Sequence, residues 1–306
     1  MNPAAPAVTV APAAETPMPT VLRTAAELAD TLAPARAEGR FIGLVPTMGA
    51  LHDGHLSLVR RARRDCGMVV ASLFVNPTQF GEGEDFDRYP RDEAQDVALF
   101  GGHGVDIVYA PDVAEMYPNG REITVTVKGL TEGLCGAVRP GHFDGVTTVV
   151  SRLFDQCRPD VAYFGEKDYQ QLKVIERMVE ERGYGIRIIG VPIVREPDGL
   201  AMSSRNAYLT EEQRRIAPLL HGTLFAVAGR LFPGVDLAAQ CCWGRTALLE
   251  AGFDSVDYFE IRDAKTLEPA ESYYRGLRLF AAARLGATRL IDNIPDDPSP
   301  PSVRRR

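Results

Sequence analysis

Cysteine chemistry has little to work with in this 306-residue chain. Its five cysteines, Cys66, Cys135, Cys157, Cys241 and Cys242, are odd in number and form no Cys-x-x-Cys pair. Neither a disulfide framework nor a zinc site follows from that spacing, and a reducing, cytoplasmic setting is expected. Long hydrophobic runs are missing too. No apolar stretch approaches the ~18 residues of a membrane span, so no membrane partner is expected. Positive charge is scarce: 34 Lys and Arg stand against 41 Asp and Glu, for a net charge of -7, and only the terminal Arg304-Arg305-Arg306 forms a tight basic end. A nucleic-acid partner needs a basic face, so none is expected. An anionic small molecule remains admissible, because local cations outrank net charge at contact distance.

What is present is ordinary for a soluble globular protein, with 45% apolar and 25% charged residues, and the length fits two domains. The Ala/Pro-rich residues 1–20 lack the basic start and apolar block of a secretory signal, and they cannot bury enough surface to order themselves. The same disorder is expected for 294–306, where Pro295, Pro298, Pro300 and Pro301 crowd together. Between these ends, Thr24 and Glu27 form a capping box for a helix over 25–38, with Gly39 as its stop and Pro34 placed to kink or split it. Strands are expected at 41–46, 68–75, 107–110, 161–164 and 186–194. Helices are expected at 56–66, 92–100, 145–157 and 169–182. This alternation predicts an α/β domain over 21–194, a Rossmann-like parallel sheet with helices on both faces. After Arg195 the pattern changes. A long helix from Thr210 to about Leu231, another over 236–251, and strands at 256–261, 277–282 and 288–291 predict a smaller C-terminal α+β domain over 195–293.

The most informative segment is Pro46-Thr47-Met48-Gly49-Ala50-Leu51-His52-Asp53-Gly54-His55. It follows the first strand of the alternating region and opens a helix. Ligands of open α/β sheets bind beyond the carboxyl ends of strands. Gly49 and Gly54 permit close backbone approach, and the free N–H groups of a helix start suit a phosphate. Two of the five histidines share one helical turn here, and imidazoles beside a phosphate can donate to oxygens that gain charge. The pair also invites zinc. A catalytic zinc needs a third protein ligand, for which His142 or a distant carboxylate is all that offers, so metal-first chemistry is the weaker reading.

This loop resembles the His-x-Gly-His signature of the nucleotidyltransferase superfamily, and the full ten-residue string is similar to the pantothenate synthetase family. Three more segments carry the likeness in order. Phe74-Val75-Asn76-Pro77-Thr78-Gln79-Phe80 closes the second strand. Phe164-Gly165-Glu166-Lys167-Asp168-Tyr169-Gln170-Gln171 lies at another strand-to-helix junction. Ala201-Met202-Ser203-Ser204-Arg205-Asn206 is similar to the superfamily's second signature, Lys-Met-Ser-Lys-Ser. Arg139-Pro140-Gly141-His142-Phe143-Asp144-Gly145 is also alike, with His142 read as structural. The likeness spans roughly 20 to 293. The Ala/Pro extension and the Pro/Arg tail depart from it but touch no motif.

The resemblance implies an ATP-dependent ligase that joins (R)-pantoate to β-alanine through a pantoyl adenylate, releasing pyrophosphate and AMP, and that assembles as a homodimer. It implies His55, His52 and Lys167 as the catalytic set. ATP would be held by Met48, Gly49, Ala50, Leu51, His52, Asp53, Gly54 and His55, by Gly165, Glu166, Lys167 and Asp168, and by Val194, Met202, Ser203, Ser204 and Arg205. Gln79, Gln171, Asn76 and Tyr89 would hold pantoate and β-alanine, and Asp96 is the candidate for Mg²⁺ carried with ATP. The C-terminal domain is expected to act as a lid. Two other readings compete: a nucleotidyltransferase that stops after adenylyl transfer, and a non-catalytic ATP-binding regulator. Paired phosphate signatures argue against the regulator, and the Asn76, Gln79 and Gln171 amides argue against the simple transferase.

Overall fold

A computed structural model describes residues 18–297. The disorder expected at the two ends therefore falls mostly outside the described residues. Where the two overlap the expectation needs correction, because Thr20 opens one strand and Ile294 and Pro295 close another.

The alternating half builds one parallel sheet. Its elements are β1 (Thr20–Leu22), α1 (Ala25–Ala37), β2 (Ile42–Thr47), α2 (Asp53–Asp65), β3 (Met68–Leu73), α3 (Glu93–Gly101), β4 (Ile107–Tyr109), the short α4 (Val113–Met116) and α5 (Cys135–Val138), α6 (His142–Cys157), β5 (Val161–Gly165), α7 (Tyr169–Arg182) and β6 (Arg187–Val191). The strand order is β1-β4-β3-β2-β5-β6 and every pairing is parallel. Side chains alternate between two apolar layers, as a sheet covered on both faces requires. Ile42, Leu44, Val70, Ala162 and Phe164 face a cluster with Leu28 and Leu32 of α1, Val150 and Phe154 of α6 and Ile175 of α7. Val45, Val69, Ala71, Val161 and Tyr163 face Leu58 and Val59 of α2 and Phe100 of α3.

The Thr24–Glu27 capping box forms, and α1 runs through Pro34 without splitting. Helices α2 and α6 each begin three residues before their expected starts. In α2 the reason is that His52 serves as the cap, a role more often taken by Ser, Thr or Asp.

The remaining elements are α8 (Glu211–Ile216), α9 (Leu219–Ala228), α10 (Leu237–Glu250), β7 (Ser255–Asp263), β8 (Leu277–Leu285) and β9 (Thr288–Pro295). The single helix expected over 210–231 is in fact α8 and α9. They break at Ala217-Pro218, because proline has no N–H to donate and its ring clashes with the preceding turn. Strands β7, β8 and β9 form an antiparallel sheet. One face packs on α9 and α10 through Leu279, Ala281 and Ala283. The other face puts Tyr258, Phe280 and Ala282 into the apolar cluster of the first sheet. Among the described residues no helix is long and apolar enough to cross a membrane.

One contact ties the packing to the site. A Cβ at Gly145 on α6 would overlap the Thr78 carbonyl and lie 2.7 Å from the Gln79 nitrogen. Glycine there lets α6 touch the turn that follows β3. Gly145→Ala is expected to lower stability in urea by about 1–3 kcal/mol through overpacking, although alanine is the better helix former by ~1 kcal/mol. Unchanged stability would show that the turn can retreat freely.

Candidate active site

Strand β2 pairs with β3 on one side and β5 on the other. Chain order reverses there, which in open α/β sheets places the ligand crevice beyond the strand ends. A cavity of about 230 Å³ opens at that point. It is lined by Met48, His52, Gly54 and His55 after β2, and by Asn76, Gln79 and Tyr89 after β3. Gly165, Lys167, Asp168 and Gln171 line it after β5, and Val194, Met202, Ser203, Ser204 and Arg205 beyond β6. The two phosphate signatures, about 150 residues apart in sequence, thus share one cavity.

The first loop begins with a turn under backbone strain. Gly49 has φ +87° and Ala50 has φ +51°, in the left-handed region that an L-residue enters at a cost. Asp96 holds it there. Its Oδ2 accepts from the Ala50 amide at 3.0 Å and its Oδ1 from the Leu51 amide at 2.9 Å. A side chain at Gly49 would lie 2.7 Å from the same carboxylate. Asp96 is 3% exposed and does not line the cavity. Burial raises its pKa, while the two amides pull it down. The expectation that Asp96 holds Mg²⁺ is therefore corrected: both oxygens are committed to the turn. Gly49, Ala50, Leu51 and Asp53 also stand behind the lining, so they shape the loop.

The turn delivers His52 as the cap of α2. Its Nδ1 accepts from the Gly54 amide at 3.1 Å, and the His52 amide donates to His55 Nδ1 at 3.3 Å. The rings lie 4.1 Å apart, tilted by 35°. Both Nδ1 atoms accept, so each neutral ring carries its proton on Nε2. Burial, aided by the Lys167 ammonium, lowers the His52 pKa to about 4. Burial, the neighbouring His52 ring and Lys167 lower His55 to about 3.

The amides after β3 divide their work. Asn76 is 1% exposed. Its Oδ1 accepts from the Thr78 amide at 3.2 Å and the Tyr117 hydroxyl at 2.6 Å, and its Nδ2 donates to Gln79 Oε1 and the Gly145 carbonyl, each at 3.1 Å. This saturates Asn76, so its expected role as a direct substrate contact becomes that of a brace. It turns the Gln79 oxygen away and leaves the Gln79 NH₂ facing Met48 Sδ at 3.1 Å, a weak acceptor. His142 accepts from Arg139 at 3.0 Å and donates from Nδ1 to the Gln79 carbonyl at 2.8 Å. Its structural reading fits, and burial lowers its pKa to about 4.

Past Phe80, the sequence points only to Tyr89 in the segment 80–91. It proves to be a clasp. Asp85 holds Arg205 in a two-pronged pair, 2.8 Å on each prong. Glu84 holds Arg139 at 2.7 and 2.6 Å. Tyr89 reaches the Ser204 hydroxyl at 3.2 Å. Desolvation works against the Glu84 carboxylate, but Arg139 outweighs it and holds its pKa at about 2. Glu166 faces Arg278 instead of the cavity, at 3.3 Å. The acidic cluster of 82–87 was the available sequence signal for these partners of Arg139 and Arg205.

The pantoate–β-alanine ligase family profile matches residues 20–295. The pantothenate synthetase of Paramagnetospirillum magneticum is 58% identical over 278 residues, covering 91% of this chain and 98% of the relative. The chain belongs to the pantoate–β-alanine ligase family. The crystal structure of pantothenate synthetase from Thermus thermophilus matches with a TM-score of 0.85 at 49% identity, covering 91% of this chain and all of that one. A Francisella tularensis pantoate–β-alanine ligase, solved with β-γ ATP and β-alanine, matches with a TM-score of 0.77 at 32% identity over 91% and 98% of the two chains. The Rossmann-like architecture and the ligase activity expected from sequence are borne out.

The half-buried imidazoles of this ligase yield a pH prediction. A histidine whose native pKa lies below its unfolded value of about 6.5 favours the native state fully above that value and loses the contribution as pH falls toward the native pKa. Ring proton resonances of His52 and His55 are expected to stay flat from pH 8 to pH 5. Lowering the pH from 7 to 5 should cost roughly 1–2 kcal/mol of stability per ring. A midpoint near 6.5 for either ring would contradict the neutral pair.

Proposed function

We propose that the ligase activates (R)-pantoate with ATP as an acyl adenylate and then passes the acyl group to β-alanine. A carboxylate is a poor electrophile. Its oxygen attacks the α-phosphorus, the bond to the β-phosphate breaks and pyrophosphate leaves. The β-alanine nitrogen then attacks the acyl carbon, the bond to AMP breaks, and the amine proton is released. The observation that carries this reading is the shared cavity: imidazole donors, Lys167, the Ser203–Arg205 segment and two glutamine amides converge on one space. The ATP and β-alanine of the Francisella relative support it.

In this reading Nε2–H of His52 and His55 donates to phosphate oxygens as charge builds, and neutral rings do so without changing protonation. Lys167 supplies a compact cation for the β- and γ-phosphates. Ser203 and Ser204 donate hydroxyls, and the Arg205 fork, held by Asp85 beforehand, presents a planar pair of donors. The Gln79 NH₂ and Gln171 receive pantoate by its carboxylate and hydroxyls. An analogue lacking a hydroxyl would leave a buried amide unpaired.

Mg²⁺ fits as a companion of the triphosphate. Among the described residues no trio of His, Cys, Asp or Glu forms a metal cluster, and Asp168 is the carboxylate on the cavity wall. Magnesium in nucleotide sites is commonly held by phosphates and one or two carboxylates. The homodimer implied by the resemblance is the assembly to test by sedimentation.

Residues 195–293 are read as the lid domain, and motion within it would be uneven. The second sheet is bonded to the turn carrying Lys167. Closure that keeps those bonds is carried by the Ser203–Arg205 segment of the lid, together with the 80–91 clasp of the first domain that holds it, excluding the water that hydrolyses acyl adenylates.

An omission assay tests the sequence of steps. Pyrophosphate is expected to require ATP and pantoate but not β-alanine, whereas AMP release requires all three. Pyrophosphate release without any amine-dependent AMP would favour a transferase that stops at adenylation. His55→Ala should lower kcat by about 10²–10³, the loss of one transition-state donor. Wild-type turnover in that variant would remove the role given to the ring.

A further inference from the structure

We propose that Asn293 on β9 is a positioning residue for the ligase reaction, acting through Lys167 by fixing the backbone of the turn that carries it. The inference rests on the reading above, in which Lys167 meets the ATP phosphates.

Lys167 sits in a single 3-10 turn, Glu166–Asp168, between β5 and α7. Such a turn leaves carbonyls without partners of its own. Asn293 supplies them from the second sheet. Its Nδ2 donates to the Glu166 carbonyl at 2.9 Å and to the Lys167 carbonyl at 3.0 Å. The residue is 2% exposed. The amide can point only one way, because Arg278 on β8 donates to Asn293 Oδ1.

Arg278 grips the same turn twice more. Its other nitrogen reaches Glu166 Oε2 at 3.3 Å, and its guanidinium lies 3.8 Å from the centre of the Tyr169 ring. The Tyr169 hydroxyl in turn donates to the Ala264 carbonyl at 3.0 Å. The residue before Lys167, Lys167 itself and a residue after it are thus held by the C-terminal half. A lysine head rides on four rotatable bonds, so its reach into the cavity depends on where its backbone stands. Displacement of about 1 Å at a reacting centre can cost on the order of 10²-fold in rate.

An asparagine that merely sealed the seam between the halves would stabilise the fold without caring which residue it held. A positioning role predicts something narrower: its effect vanishes when the lysine head is gone. The test is a double-mutant cycle on the full-length enzyme, read as single-turnover pyrophosphate formation from ATP and pantoate. Asn293→Ala and Asn293→Asp are each expected to slow that step by about 10–100-fold, with the KM for pantoate within about twofold. In a Lys167→Ala background the same substitutions should change the remaining rate by less than about threefold, as coupled sites do.

Equal losses in both backgrounds, or a loss confined to pantoate KM, would assign Asn293 to packing and overturn the proposal. A wild-type rate in Asn293→Asp beside a strong loss in Lys167→Ala would also overturn it, while leaving the phosphate role of Lys167 intact. A wild-type rate in Lys167→Ala would instead refute that role and the proposal with it. Should Asn293→Ala fail to fold, Asn293→Asp decides, since it keeps the shape and the Arg278 partner but replaces the two N–H donors of Nδ2 by one acceptor oxygen facing both carbonyls.

Discussion

The site depends first on one buried carboxylate. Asp96 accepts from two successive amides, Ala50 and Leu51, at the place where the chain must leave a strand and start a helix within six residues. Left-handed geometry at Ala50 costs about 1–2 kcal/mol. Two hydrogen bonds to an ionised acceptor are worth about 1.5–3 kcal/mol each, so the clamp outweighs the strain. What the strained turn accomplishes is an angle: it brings His52 to the cap position of α2. From there the rest is forced. The cap consumes His52 Nδ1, the His52 amide consumes His55 Nδ1, and each ring keeps a proton only on Nε2. A cavity that must stabilise growing negative charge thereby acquires two fixed neutral donors whose protonation does not change near neutral pH.

The fixed cations of the cavity follow a different logic. Arg205 and Arg139 each stand in a two-pronged pair, with Asp85 and Glu84 of one short clasp. Neither guanidinium wanders, and neither presents a bare charge. Lys167 differs: its nearest carboxylate, Asp168, lies 4.0 Å away. The cavity is therefore preorganised by acids that hold its bases in place, which lowers the reorganisation a bound triphosphate must impose.

Much of this was legible in the residues, and the reason is locality. The alternating strands and helices, the Thr24 cap and the glycine-bearing loops are written in neighbouring residues, and α7 falls on its expected bounds. The convergence of Pro46–His55 and Lys167 was legible because each follows a strand end, and strand ends of a parallel sheet share an edge, while Ser203–Arg205 lies where the two expected domains meet. Partnerships across the fold were not legible. Asp96 looks like any acidic residue in the first turn of a helix, and its partners lie 45 and 46 residues away. Asn76 reads as a substrate amide until Tyr117 and Gly145 are seen to occupy it. Besides the acidic cluster of 82–87, a local clue left unread was Asp292-Asn293, two polar residues inside the apolar run Leu290–Ile294. A buried strand carries such residues only when each has a partner.

Those two residues explain how the halves of the molecule are joined. Neighbours on a strand point to opposite faces, so β9 reaches in two directions at once. Asp292 binds Arg195 at 2.6 and 3.0 Å, at the root of the hairpin that leads to Ser203–Arg205. Asn293 binds the turn of Lys167. One residue's rise along β9 therefore separates the anchors of the two cationic segments that face the cavity. A hinge that swung the C-terminal domain as a whole would carry Arg195 and Asp292 together but break the Asn293 anchor, leaving two unpaired carbonyls at the turn. Each unpaired carbonyl costs about 1–3 kcal/mol. Motion of the 80–91 clasp costs less, because its carboxylates sit nearer solvent and can trade a guanidinium for water. The energetics thus place rigidity at the strand that spaces the cations, and mobility at the loop that covers them.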